Sequence, residues 1–142
     1  MNLLLEMVKQ IFVNLPVKDL NKSIEFFTKL GFTFNPQFTD ENAACMIIGE
    51  NIFAMLLVEK FFKSFTKKEI ANAYHNTEVI NAISVDSREE VDEMIEKAIS
   101  AGGKETREAQ EHGWMYGRSF EDLDGHQWEV FWADESKIPE KP

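Results

Sequence analysis

One strand–helix–strand pattern is written twice along the chain, and a chain that repeats such a unit has few folds open to it. Ile11 to Val17 alternates Ile11, Val13, Leu15 and Val17 against Phe12, Asn14 and Pro16, the period-two signature of a strand with two distinct faces. Asp19 then offers a helix N-cap, Leu20, Ile24, Phe27 and Leu30 recur at helical spacing, and Gly31 supplies the stop. Three turn-bounded apolar runs follow, around Phe32 to Phe38, Ala43 to Ile48 and Ile52 to Val58. The same order restarts at Val79 to Val85. Ser87 and Glu90 form a capping box ahead of Val91, Met94, Ile95, Ala98 and Ile99, and Gly102-Gly103 ends the second helix. Lys104 to Arg107, Trp114 to Glu121 and, after the Asp124-Gly125 turn, Gln127 to Trp132 read as strands. Laying Leu15-Pro16-Val17-Lys18-Asp19 over Ile83-Ser84-Val85-Asp86-Ser87 keeps the two halves in register, apart from about one extra helical turn in the second.

The expected fold is therefore α+β: two tandem β-α-β-β-β modules. Module one takes in about 8–58, a linker 59–78, module two about 79–132 and a polar tail 133–142, all within one domain, as suits a chain of 142 residues that is 44% hydrophobic. In the linker, Thr66 and Glu69 suggest a second capping box and a short helix from Lys67 to Tyr74. Phe61, Phe62, Phe65 and Tyr74 there either pack on the sheet rim or serve as a lid or dimer contact. The apolar run Leu3 to Leu5 is too short for a secretion signal and reads as an extension, with Met7 an alternative start.

Charge and composition narrow the partners. A net charge of −10 repels phosphate backbones and anionic lipid, so neither nucleic acid nor a membrane is expected as a partner. The lone Cys45 has no disulfide partner and fits a cytoplasmic protein. His75, His112 and His126 are scattered, with no pair at metal-binding spacing.

Strand parity points one set of side chains inward: Phe12 and Asn14; Phe53, Met55 and Leu57; Ile80, Ala82 and Ser84; Gln127, Glu129 and Phe131. An apolar cleft oriented by Asn14, Ser84, Gln127 and Glu129 suits a small organic ligand, while the plainer reading makes the same stripe simple core. Glu129 in apolar surroundings could act as a general base, or be satisfied by Arg118 or a backbone donor. Trp114, Tyr116, Arg118 and Phe120 share a parity and form either a ligand-contacting face or a plain packed strand.

The order and spacing of Val13-Asn14-Leu15-Pro16-Val17-Lys18-Asp19-Leu20, Ser23, Phe26, Phe27, Leu30 and Gly31, with Ser84-Val85-Asp86, Asp122-Leu123-Asp124-Gly125 and Glu129, resemble the vicinal oxygen chelate superfamily. That superfamily includes glyoxalase I, extradiol dioxygenases, fosfomycin-resistance enzymes and bleomycin-binding proteins. The resemblance implies four strand positions at which enzymatic members hold a divalent metal, here falling on Phe12, Met55, Ile80 and Glu129. Three of the four cannot coordinate a hard cation, so no metal and no cofactor is expected. It further implies a curved mixed sheet around a cup-shaped pocket, and a homodimer. The function expected is metal-independent binding of a small organic molecule. The alternative is a glyoxalase-like lyase, isomerase or dioxygenase that uses a displaced metal site or Glu129 as base.

Overall fold

A computed structural model describes residues 7–141 of the chain; the Leu3 to Leu5 run lies outside them. The contacts divide the molecule into two compact units, one ending at Ile70 and the other beginning at Ala71.

In the first unit, β1 (Ile11–Val17) leads into α1 (Leu20–Leu30), then β2 (Thr33–Asn35), β3 (Ala43–Gly49) and β4 (Ile52–Val58). The helix begins where the Asp19 carboxylate accepts the Lys22 N–H at 3.1 Å. It ends at Gly31, whose φ of 108° lets the Phe32 N–H return to the Phe27 carbonyl. The sheet order is β1-β4-β3-β2, with β1 parallel to β4 and the other pairs antiparallel. One sheet face carries Leu15, Val17, Ala44, Met46, Ala54 and Leu56, all buried, and α1 supplies buried Phe26, Phe27 and Leu30 to this core.

The second unit repeats the order with one extra short strand: β5 (Ile80–Ser84), α2 (Arg88–Ser100), β6 (Lys104–Glu105), β7 (Gln110–Glu111), β8 (Met115–Glu121) and β9 (Gln127–Ala133). A short helix at Glu59–Lys63 precedes it in the chain and packs on β1 and β4 of the first unit. The Glu90 N–H is capped by Ser87 Oγ at 3.1 Å, while the Glu90 carboxylate reaches back to the Asp86 N–H at 3.2 Å. Gly102, with φ 110°, ends the helix as Gly31 ends α1, and the Gly103 N–H bonds the Ala98 carbonyl. The sheet order is β5-β9-β8-β6, β7 also pairs with β8, and β5 runs parallel to β9. Val91, Ile95 and Ala98 of α2 meet the face that carries Phe120, Trp128 and Val130.

The architecture is thus α+β, with two mixed sheets, one per module. Three local expectations are corrected. The strand expected from Phe32 to Phe38 stops at Asn35, because Pro36 opens a 3-10 turn, Pro36–Phe38, capped by the Asn35 side chain. The linker helix lies at Glu59–Lys63 and not at Lys67 to Tyr74. There the side chains of Thr66 and Asn72 accept the N–H groups of Lys68 and Tyr74, two residues on, and this turn chemistry outcompetes a helix. Finally, the segment between α2 and β8 makes two contacts with β8 in place of one: β6 pairs with Phe120 and Glu121, β7 with Tyr116 and Gly117.

Candidate functional site

The sheet faces turned away from α1 and α2 carry Phe12, Asn14, Phe53, Met55 and Leu57 in module one and Ile80, Ala82, Ser84, Gln127, Glu129 and Phe131 in module two. In module one, the parallel register sets Phe12 beside Phe53, Asn14 beside Met55 and Pro16 beside Leu57. Phe12 and Phe53 stack with ring centroids 4.7 Å apart at an interplanar angle of 12°. Stacking this close is worth about 1 kcal/mol beyond area burial, and it fixes the face as apolar. Asn14 turns its amide to the Phe12 carbonyl at 3.0 Å. Cys45 lies beside Met55 on β3, where burial pushes its thiol pKa up, so it is a poor thiolate. A concavity of about 390 Å³ opens at this end, lined by Asn14, Leu57, Phe62, Phe65 and Thr66. The linker aromatics Phe62 and Phe65 therefore sit against the sheet. Sequence reasoning flagged them as aromatic but had no signal for the strand end they cover.

In module two, the register sets Ile80 beside Gln127, Ala82 beside Glu129 and Ser84 beside Phe131. Ile80, Ala82 and Ser84 are all exposed, so β5 forms a ledge next to Glu129. The Glu129 side chain is 18% exposed, and its Oε1 accepts a 2.6 Å hydrogen bond from Arg107 Nη2. Its other oxygen, Oε2, is buried and has no hydrogen-bond partner among the described residues. A buried acceptor left without a donor costs about 1–3 kcal/mol, so the vacancy needs a reason. Across the sheet from Glu129 stands Ser119, whose hydroxyl pairs with that of Thr106.

The partners expected for Glu129 are Arg118 or a backbone donor; the structure supplies Arg107. Arg118 and Tyr116 lie on the opposite face, paired with Val130 and Trp132, and point at α2. Arg118 bonds Asp92 at 2.9 Å, Glu96 at 3.0 Å and Glu105 at 2.8 Å, and Tyr116 Oη donates to Asp92 at 2.6 Å. The Tyr116 hydroxyl, opposed by desolvation but aided by Arg118, holds the Asp92 carboxylate below its ordinary range, while Arg118 does the same for Glu105. These two residues tie helix to sheet, on the face opposite to Glu129. Arg107 was missed because it sits on the 106–109 excursion between β6 and β7, 22 positions from Glu129 in sequence. Beside that excursion lies an open concavity of about 510 Å³ lined by residues 105–109 with Tyr116 and Arg118.

The four implied metal positions can be checked between modules. Phe12 pairs with Phe53, two residues before Met55, and Ile80 pairs with Gln127, two residues before Glu129. The offset is the same in both sheets, so Met55 is the register equivalent of Glu129. The donor set does not fit a divalent cation: Phe12 and Ile80 offer none, Met55 a thioether, and the Glu129 carboxylate is already neutralised by a guanidinium. Among the described residues no group of three or more His, Cys, Asp or Glu side chains converges to hold a metal.

A paired β-α-β-β-β fold with open-faced mixed sheets defines the class. The first 41 residues of the repeat region, 9–49, match the model of the bleomycin resistance protein-like N-terminal family. A hypothetical protein of S. aureus superposes with a TM-score of 0.77 at 32% identity, over 93% of this chain and 100% of that one. A glyoxalase-related enzyme from Fulvimarina pelagi gives 0.73 at 20% identity, over 88% of each chain. The fosfomycin resistance protein FosX of Listeria monocytogenes gives 0.64 at 18% identity, over 89% of this chain and 93% of that one. No curated protein matches the sequence. Residues 9–49 thus match the bleomycin resistance protein-like N-terminal family, and the chain has the fold of the glyoxalase/bleomycin resistance protein/dioxygenase proteins.

Proposed function

We propose that this protein is a metal-independent binder of a small organic molecule, of the glyoxalase/bleomycin-resistance type. The observation that carries the reading is the donor set. By the family resemblance, Phe12, Met55 and Ile80 fall at three of the four metal positions and offer no hard donor, and at the fourth Glu129 is engaged by Arg107. What is left on these faces is largely apolar and aromatic surface with a few polar groups, Asn14, Ser84, Gln127 and the Glu129–Arg107 pair, the composition of a ligand site. No helix among the described residues is long and apolar enough to cross a membrane, and a cytoplasmic homodimer is part of the proposal. The dimer's support is exposed apolar side chains at the outer strands, Ile11 of β1 and Val79 just before β5; sedimentation at micromolar concentration tests it.

The deciding experiment is a melting series. Nickel, zinc, manganese and iron(II) should leave the midpoint unchanged, and aromatic compounds from a ligand library should raise it. A ligand present at 100 times its Kd stabilises by about 2.7 kcal/mol, or roughly 5–10 °C for a chain of this size. Near-stoichiometric metal in protein purified without chelator would overturn the proposal.

The vacant oxygen of Glu129 favours a second reading, in which Glu129 is a general base toward a bound carbon or oxygen acid. Turnover found in a substrate screen and abolished by Glu129→Gln, with melting unchanged, is the outcome that reading requires.

A further inference from the structure

Glu129 and Arg107 define what kind of ligand edge the second module can recognise. Their pair places a hydrogen-bond acceptor without a donor, Glu129 Oε2, next to a guanidinium that is 53% exposed and makes no other side-chain hydrogen bond among the described residues. A guanidinium has five N–H groups, so donors remain on Arg107 for a ligand. The two charges cancel. A cationic ligand beside them gains from Glu129 about what it loses to Arg107 and still sheds its hydration, and an anionic ligand is in the mirror position. A neutral polar edge avoids that cost.

We infer that module two recognises a planar neutral ligand through a cis-amide edge, as in a lactam, cyclic urea or imide. The ligand N–H donates to Glu129 and its carbonyl accepts from Arg107. The inference rests on the binding reading above and specifies its ligand class. The flat remainder of the ligand lies on the exposed β5 ledge of Ile80, Ala82 and Ser84, beside Phe131. Oε2 is buried, so the ligand N–H meets it once the Glu129 side chain leans toward the ledge about its own torsions while one oxygen stays on Arg107. The small Ala82 side chain directly across from Glu129 leaves room for that approach.

The test compares 2-quinolinone, N-methyl-2-quinolinone and quinoline by calorimetry and by amide NMR titration of the full chain. 2-Quinolinone should bind at least ten-fold more tightly than its N-methyl derivative, about 1.4 kcal/mol, and shift the resonances of Ala82, Glu129 and Phe131. Glu129→Ala should erase the difference between the two compounds. Arg107→Ala should weaken both about equally, since both keep the carbonyl. If the N-methyl compound binds as tightly as 2-quinolinone while both perturb β5 and β9, the donor inference falls and the binding reading stands. If none of the three perturbs β5 or β9, both fall.

Discussion

The two modules share a backbone register and differ in what holds it. Module one is closed by apolar contacts on both sheet faces: Phe26 and Phe27 of α1 meet the buried face, and Phe12 stacks on Phe53 on the open one. Module two spends ionic groups in the same places. Arg118 joins Asp92, Glu96 and Glu105 between helix and sheet, Arg107 meets Glu129 on the open face, and Arg88 pairs with Glu111 while lying 5.3 Å from the Tyr116 ring centroid and 5.1 Å from that of Trp132. The difference teaches that a repeat conserves strand pairing and helix caps while the chemistry of each face is free to change. Recognition of a polar ligand edge is accordingly assigned to module two.

The sharpest test of this contrast lies at two glycines with left-handed backbone. Gly125 has φ 84°, and a Cβ added there would meet the Tyr74 backbone nitrogen at 2.8 Å, whereas Gly31 has φ 108° and open space around it. Gly125→Ala should cost about 3 kcal/mol from conformational strain plus a clash with backbone, and Gly31→Ala about 1 kcal/mol from strain alone. Urea unfolding of both variants checks this, and equal losses would break the contrast.

Next in size is the charged tie. Arg118→Ala leaves three carboxylates facing one another, and since Asp92 and Glu96 are 51% and 65% exposed the expected loss is about 2 kcal/mol, less than for a fully buried pair. High salt should shrink that loss. In module one the matching probe is Phe12→Ala, expected to cost about 1 kcal/mol through lost stacking on Phe53, with no salt dependence.

The subtlest effect is on acidification. Arg88 holds Glu111 at a pKa of about 2, below its ordinary 4.5, and Asp92 and Glu105 are also lowered. The folded state thus binds fewer protons than the unfolded chain at these groups. Their stabilisation is complete above about pH 4.5 and is lost as the pH falls toward 2. Asp122, whose carboxyl is raised chiefly by burial, acts in the opposite sense and softens the decline. Amide exchange followed from pH 5 downward should show β8 and α2 losing protection before β3 and α1; simultaneous loss would contradict the division of labour.

Much of the fold was legible because local rules and global fold agreed. The alternation in Ile11 to Val17, the caps at Asp19 and Ser87, and the stops at Gly31 and Gly102 each act over a few residues, and all formed where the pattern put them. The linker misled because Thr66 and Glu69 satisfy a capping rule, yet Thr66 closes a tighter turn and the helix forms directly after β4 instead. Parity placed Phe12, Asn14, Phe53, Met55, Ile80, Ser84, Gln127, Glu129 and Phe131 on the open faces, since strand period is a local property. Tyr116 and Arg118 share a parity of their own, and the register with β9, which matches Arg118 to Val130, sets them on the face turned to α2, where they also line a concavity.

The sequence by itself determined the doubled module, its element order and the parity of every main strand, because hydrophobic period, caps and left-handed glycines are read within a turn or two of chain. Only the tertiary structure decided that Glu129 answers to Arg107 and not Arg118, and that one of its oxygens is buried without a donor. Those facts depend on which residues a cross-strand register and a loop excursion bring together from 22 positions apart, and no local rule encodes such a meeting.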